Sequence, residues 1–64
     1  MTGQEFLDRF AARIAELADG TKGPFGKRPV DYASTAGPVY WRERFPEGLS
    51  PEECAEEDAT QWET

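Results

Sequence analysis

Val30-Asp31-Tyr32-Ala33-Ser34-Thr35-Ala36-Gly37-Pro38-Val39-Tyr40-Trp41-Arg42-Glu43-Arg44-Phe45 reads in two ways, and the choice between them sets the fold class. As strands, Val30-Asp31-Tyr32 and Val39-Tyr40-Trp41 pair across Ser34-Thr35-Ala36-Gly37 in a hairpin with a longer loop. Val, Tyr and Trp favour that conformation locally. As a helix, Pro38 takes the first helical position, and Tyr40 with Arg44 and Trp41 with Phe45 stack one turn apart. The Pro46-Glu47-Gly48 stop suits either. The helix is preferred because a helix-turn-helix arrangement fits the element that follows. The expectation is a mainly α, small single domain spanning 1–64, with a short central element in 30–45. An α+β fold with a β-hairpin in 30–45 is the alternative.

On the N-terminal side the signals are sharper. Thr2-Gly3-Gln4-Glu5 has the pattern of a capping box, in which the Thr2 hydroxyl accepts from the Glu5 amide and the Glu5 carboxylate reaches back. Phe6, Leu7, Phe10, Ile14 and Leu17 then recur at helical spacing, with Ala11 and Ala18 in the same stripe. Glu5 with Arg9 and Arg13 with Glu16 form favourable pairs on the polar face. Gly20 suits a left-handed position just past the end. An amphipathic helix is expected over 3–19, with a stripe that must dock on something. Two Gly and two Pro in Thr21–Pro29 mark 20–29 as a loop, with Phe25 as its packing anchor.

On the C-terminal side Ser50 caps, Pro51 is pre-shaped for the first helical position, and Glu53 completes a second capping box. Leu49 and Cys54 have the spacing of a hydrophobic staple. An acidic helix is expected over 51–62. Its apolar face is only Cys54, Ala55, Ala59 and Trp62, so its end frays unless Trp62 docks.

Composition narrows the function. The 64 residues carry thirteen acids against seven bases, a net charge of −6, and no His. Leu, Ile, Val and Phe number only ten of the 64, so the aromatic rings must supply much of the core. The charge is polarised: net −2 over residues 1–20, +3 over 21–45 and −7 over 46–64. No run is apolar enough to span a bilayer, and the N-terminus lacks the look of a signal peptide, so a cytoplasmic protein is expected. A single Cys54 cannot form an internal disulfide. It lacks a His to act as its base, and the bland reading of it is a buried packing residue. An enzyme is not expected, nor a cofactor or metal. The acids of the last helix do not form a calcium loop, and zinc needs nitrogen or sulfur ligands that are missing.

Lys22, Lys27 and Arg28 near Phe25, and Arg42 and Arg44 beside Tyr40 and Trp41, interleave charge with rings as single-strand binders do. Five bases make no continuous groove, and the acidic tail repels phosphate, so direct nucleic-acid binding is the third-ranked reading. The leading one rests on Glu47, Glu52, Glu53, Glu56, Glu57, Asp58 and Glu63. Held on a short scaffold, these carboxylates imitate spaced phosphates and fit a basic surface on a protein partner. Tyr40, Trp41 and Trp62 are the candidate aromatic anchors of that interface. In size and charge the chain resembles phage-encoded inhibitors of host defence, including anti-CRISPR and anti-restriction proteins, which implies a DNA-mimicking inhibitor. The alternative is a small accessory or assembly subunit of a larger enzyme complex, binding through Tyr40, Trp41, Phe45 and Trp62. Self-association stays open.

Overall fold

The computed structural model describes residues 1–21 and 23–62. Three α-helices follow one another: α1 over Gly3–Ala18, α2 over Pro29–Glu43 and α3 over Pro51–Ala59. Single 3-10 turns at Pro24–Gly26 and Phe45–Glu47 lie in the two connections. The described residues contain no strand, so the mainly α reading holds and the hairpin is excluded.

Helix α1 forms as its pattern requires. Thr2 Oγ1 accepts from the Glu5 amide at 3.1 Å, which is one half of the expected box. Phe6, Phe10 and Ile14 are completely buried and Ala18 nearly so. At roughly 1.5–3 kcal/mol per fully buried large apolar side chain, these three carry much of a core this small. The chain then turns at Gly20, whose φ of +79° is the left-handed conformation expected there. The Thr21 amide closes that turn on the Ala18 carbonyl at 3.0 Å.

Helix α2 departs from expectation at its start. It begins at Pro29, nine residues before Pro38, and Pro38 lies inside it. Pro29 takes the first helical position, and Arg28 before it is extended (φ −68°, ψ 142°) without a side-chain cap. An interior proline deletes the bond to the carbonyl four residues back, here Ser34. Ser34 and Pro38 are both exposed, so the lost bond falls on the solvent side of the helix. Gly37 is the other half of the device. A Cβ there would stand 2.7 Å from Leu7 Cδ2 and 3.5 Å from Phe10, so the bare backbone lets α2 lie against α1. Tyr40 packs on Phe10 (ring centroids 5.4 Å apart) and Trp41 on Phe6 (5.4 Å). These contacts pair the start of α1 with the end of α2, so the two helices are antiparallel.

Helix α3 has its full capping box, with the Glu53 amide donating to Ser50 Oγ at 3.1 Å and the Ser50 amide to Glu53 Oε1 at 2.9 Å. It ends at Ala59 rather than at 62. Its last turn holds acids and no base, which opposes the negative end of the helix dipole. The chain turns instead, and Trp62 docks at 8% exposure. Cys54 and Ala55 are completely buried in the core that α1 organises. Leu49, before the cap, also packs against it.

Candidate functional site

The acids expected to face a partner are mostly engaged within the molecule. Arg9 and Arg13 lie one turn apart on α1, and Glu52 and Glu56 one turn apart on α3. Arg9 Nε donates to Glu52 Oε2 at 2.9 Å, with a second contact between Nη2 and Oε1. Arg13 Nη2 lies 3.0 Å from Glu56 Oε2. Both rungs advance in the same chain direction, so α1 and α3 run parallel. Arg44 bridges Glu47 and Glu57, each at 3.1 Å. The expected pairs of Arg9 with Glu5 (3.9 Å) and Arg13 with Glu16 (3.3 Å) are present as well. Arg28 meets Asp31 at 2.8 Å and Arg42 meets Glu43 at 3.5 Å, so all five arginines are ion-paired. The Arg9 guanidinium holds the Glu52 carboxyl below the usual range. The bridged glutamates keep part of their surface in water.

Asp58 sits elsewhere. It is 7% exposed and accepts three hydrogen bonds from neutral donors. Tyr40 Oη donates to Oδ1 at 2.7 Å, while Tyr32 Oη and Trp62 Nε1 donate to Oδ2 at 2.6 and 3.0 Å. This carboxylate ties α2 to α3 and to the turn carrying Trp62. Burial, with the carboxylate beside them, pushes both phenols well above the ordinary tyrosine range. Among the described residues Asp58 forms no ion pair.

Beside Asp58 opens a cleft of ≈ 460 Å³ between α2 and α3. Tyr32, Ala36, Val39 and Tyr40 form its walls, and Glu43, Arg44 and Asp58 bring charge to it. A smaller hollow of ≈ 270 Å³ lies between α1 and α2, beside Leu7 and Val30. The large apolar side chains left most open are Met1, Phe25, Val30 and Val39. Phe25 lies tilted against Tyr32 (centroids 5.6 Å apart, planes at 48°) yet is 54% exposed, so its anchoring is partial.

The remaining sequence candidates fall into place around this. Glu47, Glu52, Glu56 and Glu57 are in ion pairs, Glu53 is in its capping box, Asp58 is inside, and Glu63 and Lys22 lie outside the described residues. Tyr40 and Trp41 pack against α1, Trp41 also stacks on Phe45 (4.7 Å), and Trp62 is held by Asp58. Cys54 is completely buried, and desolvation pushes its thiol up to about 11, with Glu57 adding and Arg44 opposing. A protonated, enclosed thiol is a packing group. Among the described residues no helix is long and apolar enough to cross a membrane, and no cluster of His, Cys, Asp or Glu could hold a metal ion.

Sequence reasoning missed Tyr32. With α2 read from Pro29, Tyr32, Ala36 and Tyr40 fall at i, i+4 and i+8, and both hydroxyls come to one face. The matched four-residue spacings of Arg9/Arg13 and Glu52/Glu56 were the available sign of the two rungs. Compared with known proteins, the chain matches no family model, no characterised relative and no solved structure.

Proposed function

We propose that this chain is a small, non-catalytic acidic binding protein that engages the basic surface of a nucleic-acid-handling protein and blocks it by DNA-like charge. The observation that carries the reading is the use of all five arginines in internal ion pairs. A binder of nucleic acid needs its cations turned outward. Here the guanidinium groups are matched by the protein's own carboxylates, and the chain as a whole keeps a surplus of six negative charges. The contact residues in this reading are Glu47, Glu52, Glu56 and Glu57, through the surface they keep open beside their arginine partners, and Glu53, with Glu63 completing the set by sequence. Asp58 contributes from within, by holding α3 in place.

An accessory-subunit role is the second reading, and its observation is the exposed apolar surface of the α2 side. Its interface would be Phe25 and Val39, on either side of Tyr32, since Tyr40, Trp41 and Trp62 are engaged in packing.

Capture of partners from a host lysate, washed in salt, separates the two. Between 0.1 and 1 M salt the Debye length falls from about 10 Å to about 3 Å, so an acid-driven complex with a basic partner dissociates. The triple substitution Glu53→Gln, Glu56→Gln, Glu57→Gln should weaken that capture about tenfold at low salt. A partner retained at high salt, or held equally by the triple variant, overturns charge recognition and favours the apolar surface.

A further inference from the structure

We infer that the cleft between α2 and α3 receives a lysine side chain of the partner protein; the inference rests on the acidic-binding reading and names one contact within it. The chemistry begins with Asp58. An ionised carboxylate has about four acceptor positions. Three are filled here, two on Oδ2 by Tyr32 and Trp62 and one on Oδ1 by Tyr40. Among the described residues Oδ1 accepts from Tyr40 alone, and Asp58 lines the cleft.

That uneven sharing of donors between the two oxygens favours one kind of cation. A guanidinium binds a carboxylate best through two parallel bonds to two oxygens. Oδ2 is already saturated, so the fork finds one place where it needs two. An ammonium is a compact point donor and needs only one. Glu43, 61% exposed and only loosely paired with Arg42 at 3.5 Å, adds a second negative group at the rim. Arg44 also lines the cleft, but its guanidinium is engaged by Glu47 and Glu57. Apart from Thr35, the rest of the wall is suited to the stem of the same side chain. Ala36, Val39 and the two tyrosines offer apolar surface, and lysine lays its four methylenes along such surfaces while its head seeks a polar end. The acidic balance of the chain draws cations toward the site.

The probe is Nα-acetyl-lysine methylamide, titrated into the protein and followed by NMR. The uncharged norleucine analogue and the arginine analogue serve as controls. The expected result is a saturable shift of the Ala36, Val39, Tyr32 and Tyr40 signals, about fivefold tighter for lysine than for norleucine. Arginine should also bind more weakly than lysine. Ala36→Leu narrows the cleft at a residue that makes no hydrogen bond to Asp58 and should abolish the shift. Glu43→Gln, at an exposed position that the fold does not need, should weaken it about twofold. Shifts scattered over the surface carboxylates, equal binding of the norleucine analogue, or no saturable shift overturn the cleft as a lysine site. The acidic-binding reading is judged separately: if Ala36→Leu still captures a salt-sensitive basic partner, only the cleft assignment has failed.

Discussion

The two seams that α3 makes are built differently. The one with α1 carries the Arg9–Glu52 and Arg13–Glu56 rungs along its edge, beside Cys54 and Ala55, small residues with no exposed surface. The one with α2 hangs on Asp58, one turn further along the same buried face, reached by the long side chains of Tyr32 and Tyr40, and a cleft stays open beside that contact. One seam is held by packing and merely trimmed by charge. The other depends on a single buried carboxylate. The difference teaches where a small protein can leave room for a ligand: next to a polar bridge that spans a gap, rather than along an apolar contact that has to close it.

The strongest way to break this comparison is Asp58→Ala. It deprives Tyr32, Tyr40 and Trp62 of their acceptor at once, and at ~1–3 kcal/mol for each buried donor left unpaired the loss should reach about 2–4 kcal/mol, the half-open tyrosines recovering part of theirs from water. A domain of this size has only a few kcal/mol in hand. Urea denaturation should show a variant near or past the edge of folding, and a loss below ~1 kcal/mol would show that the open seam does not depend on Asp58.

Alkaline pH sharpens the contrast from the closed side. Unfolded, Cys54 loses its proton near its ordinary 9.0, whereas folded it holds it to about 11. Its contribution to stability is complete below the unfolded value. Above it the unfolded state binds fewer protons than the folded one, so stability falls as pH rises. At about 1.4 kcal/mol per unit, roughly 2–3 kcal/mol should disappear across that window. Cys54→Ala should remove the part of the slope that starts lowest and leave the tyrosine part, which starts near pH 10. An unchanged slope in denaturation curves taken as a function of pH would mean that α3 does not enclose its thiol.

The smallest effect belongs to the rungs. Arg9→Gln with Arg13→Gln should lower the thermal midpoint slightly at low salt and hardly at all at high salt, because exposed pairs are screened. A large, salt-independent drop would mean that charge, rather than the apolar seam, holds α1 and α3 together.

Much of this was legible along the chain. The stripe of Phe6, Phe10 and Ile14, the Thr2 cap, the Ser50–Pro51–Glu53 start and the turn at Gly20 are local patterns, and local patterns survive folding. The start of α2 was not legible for a local reason too: Arg28 provides no capping side chain, and Pro38 imitates a beginning. Its true role depends on Gly37 lying against Leu7 and Phe10. The site was hidden more deeply. Glu52 and Glu56 look like free surface acids until Arg9 and Arg13 stand opposite, forty-three residues earlier. Asp58 looks like one more acid in a run until helical phase turns it inward.

By itself, the sequence determined the helical character of the two ends, the caps that start them, the polarised charge and the absence of histidine chemistry. These follow from residue type and short spacing. Only the tertiary structure decided which carboxylates are matched and which one is buried, and that a cleft lies between α2 and α3. Those outcomes depend on distances between residues far apart in the chain, and a carboxylate's environment is set by what packs around it, not by its neighbours in sequence.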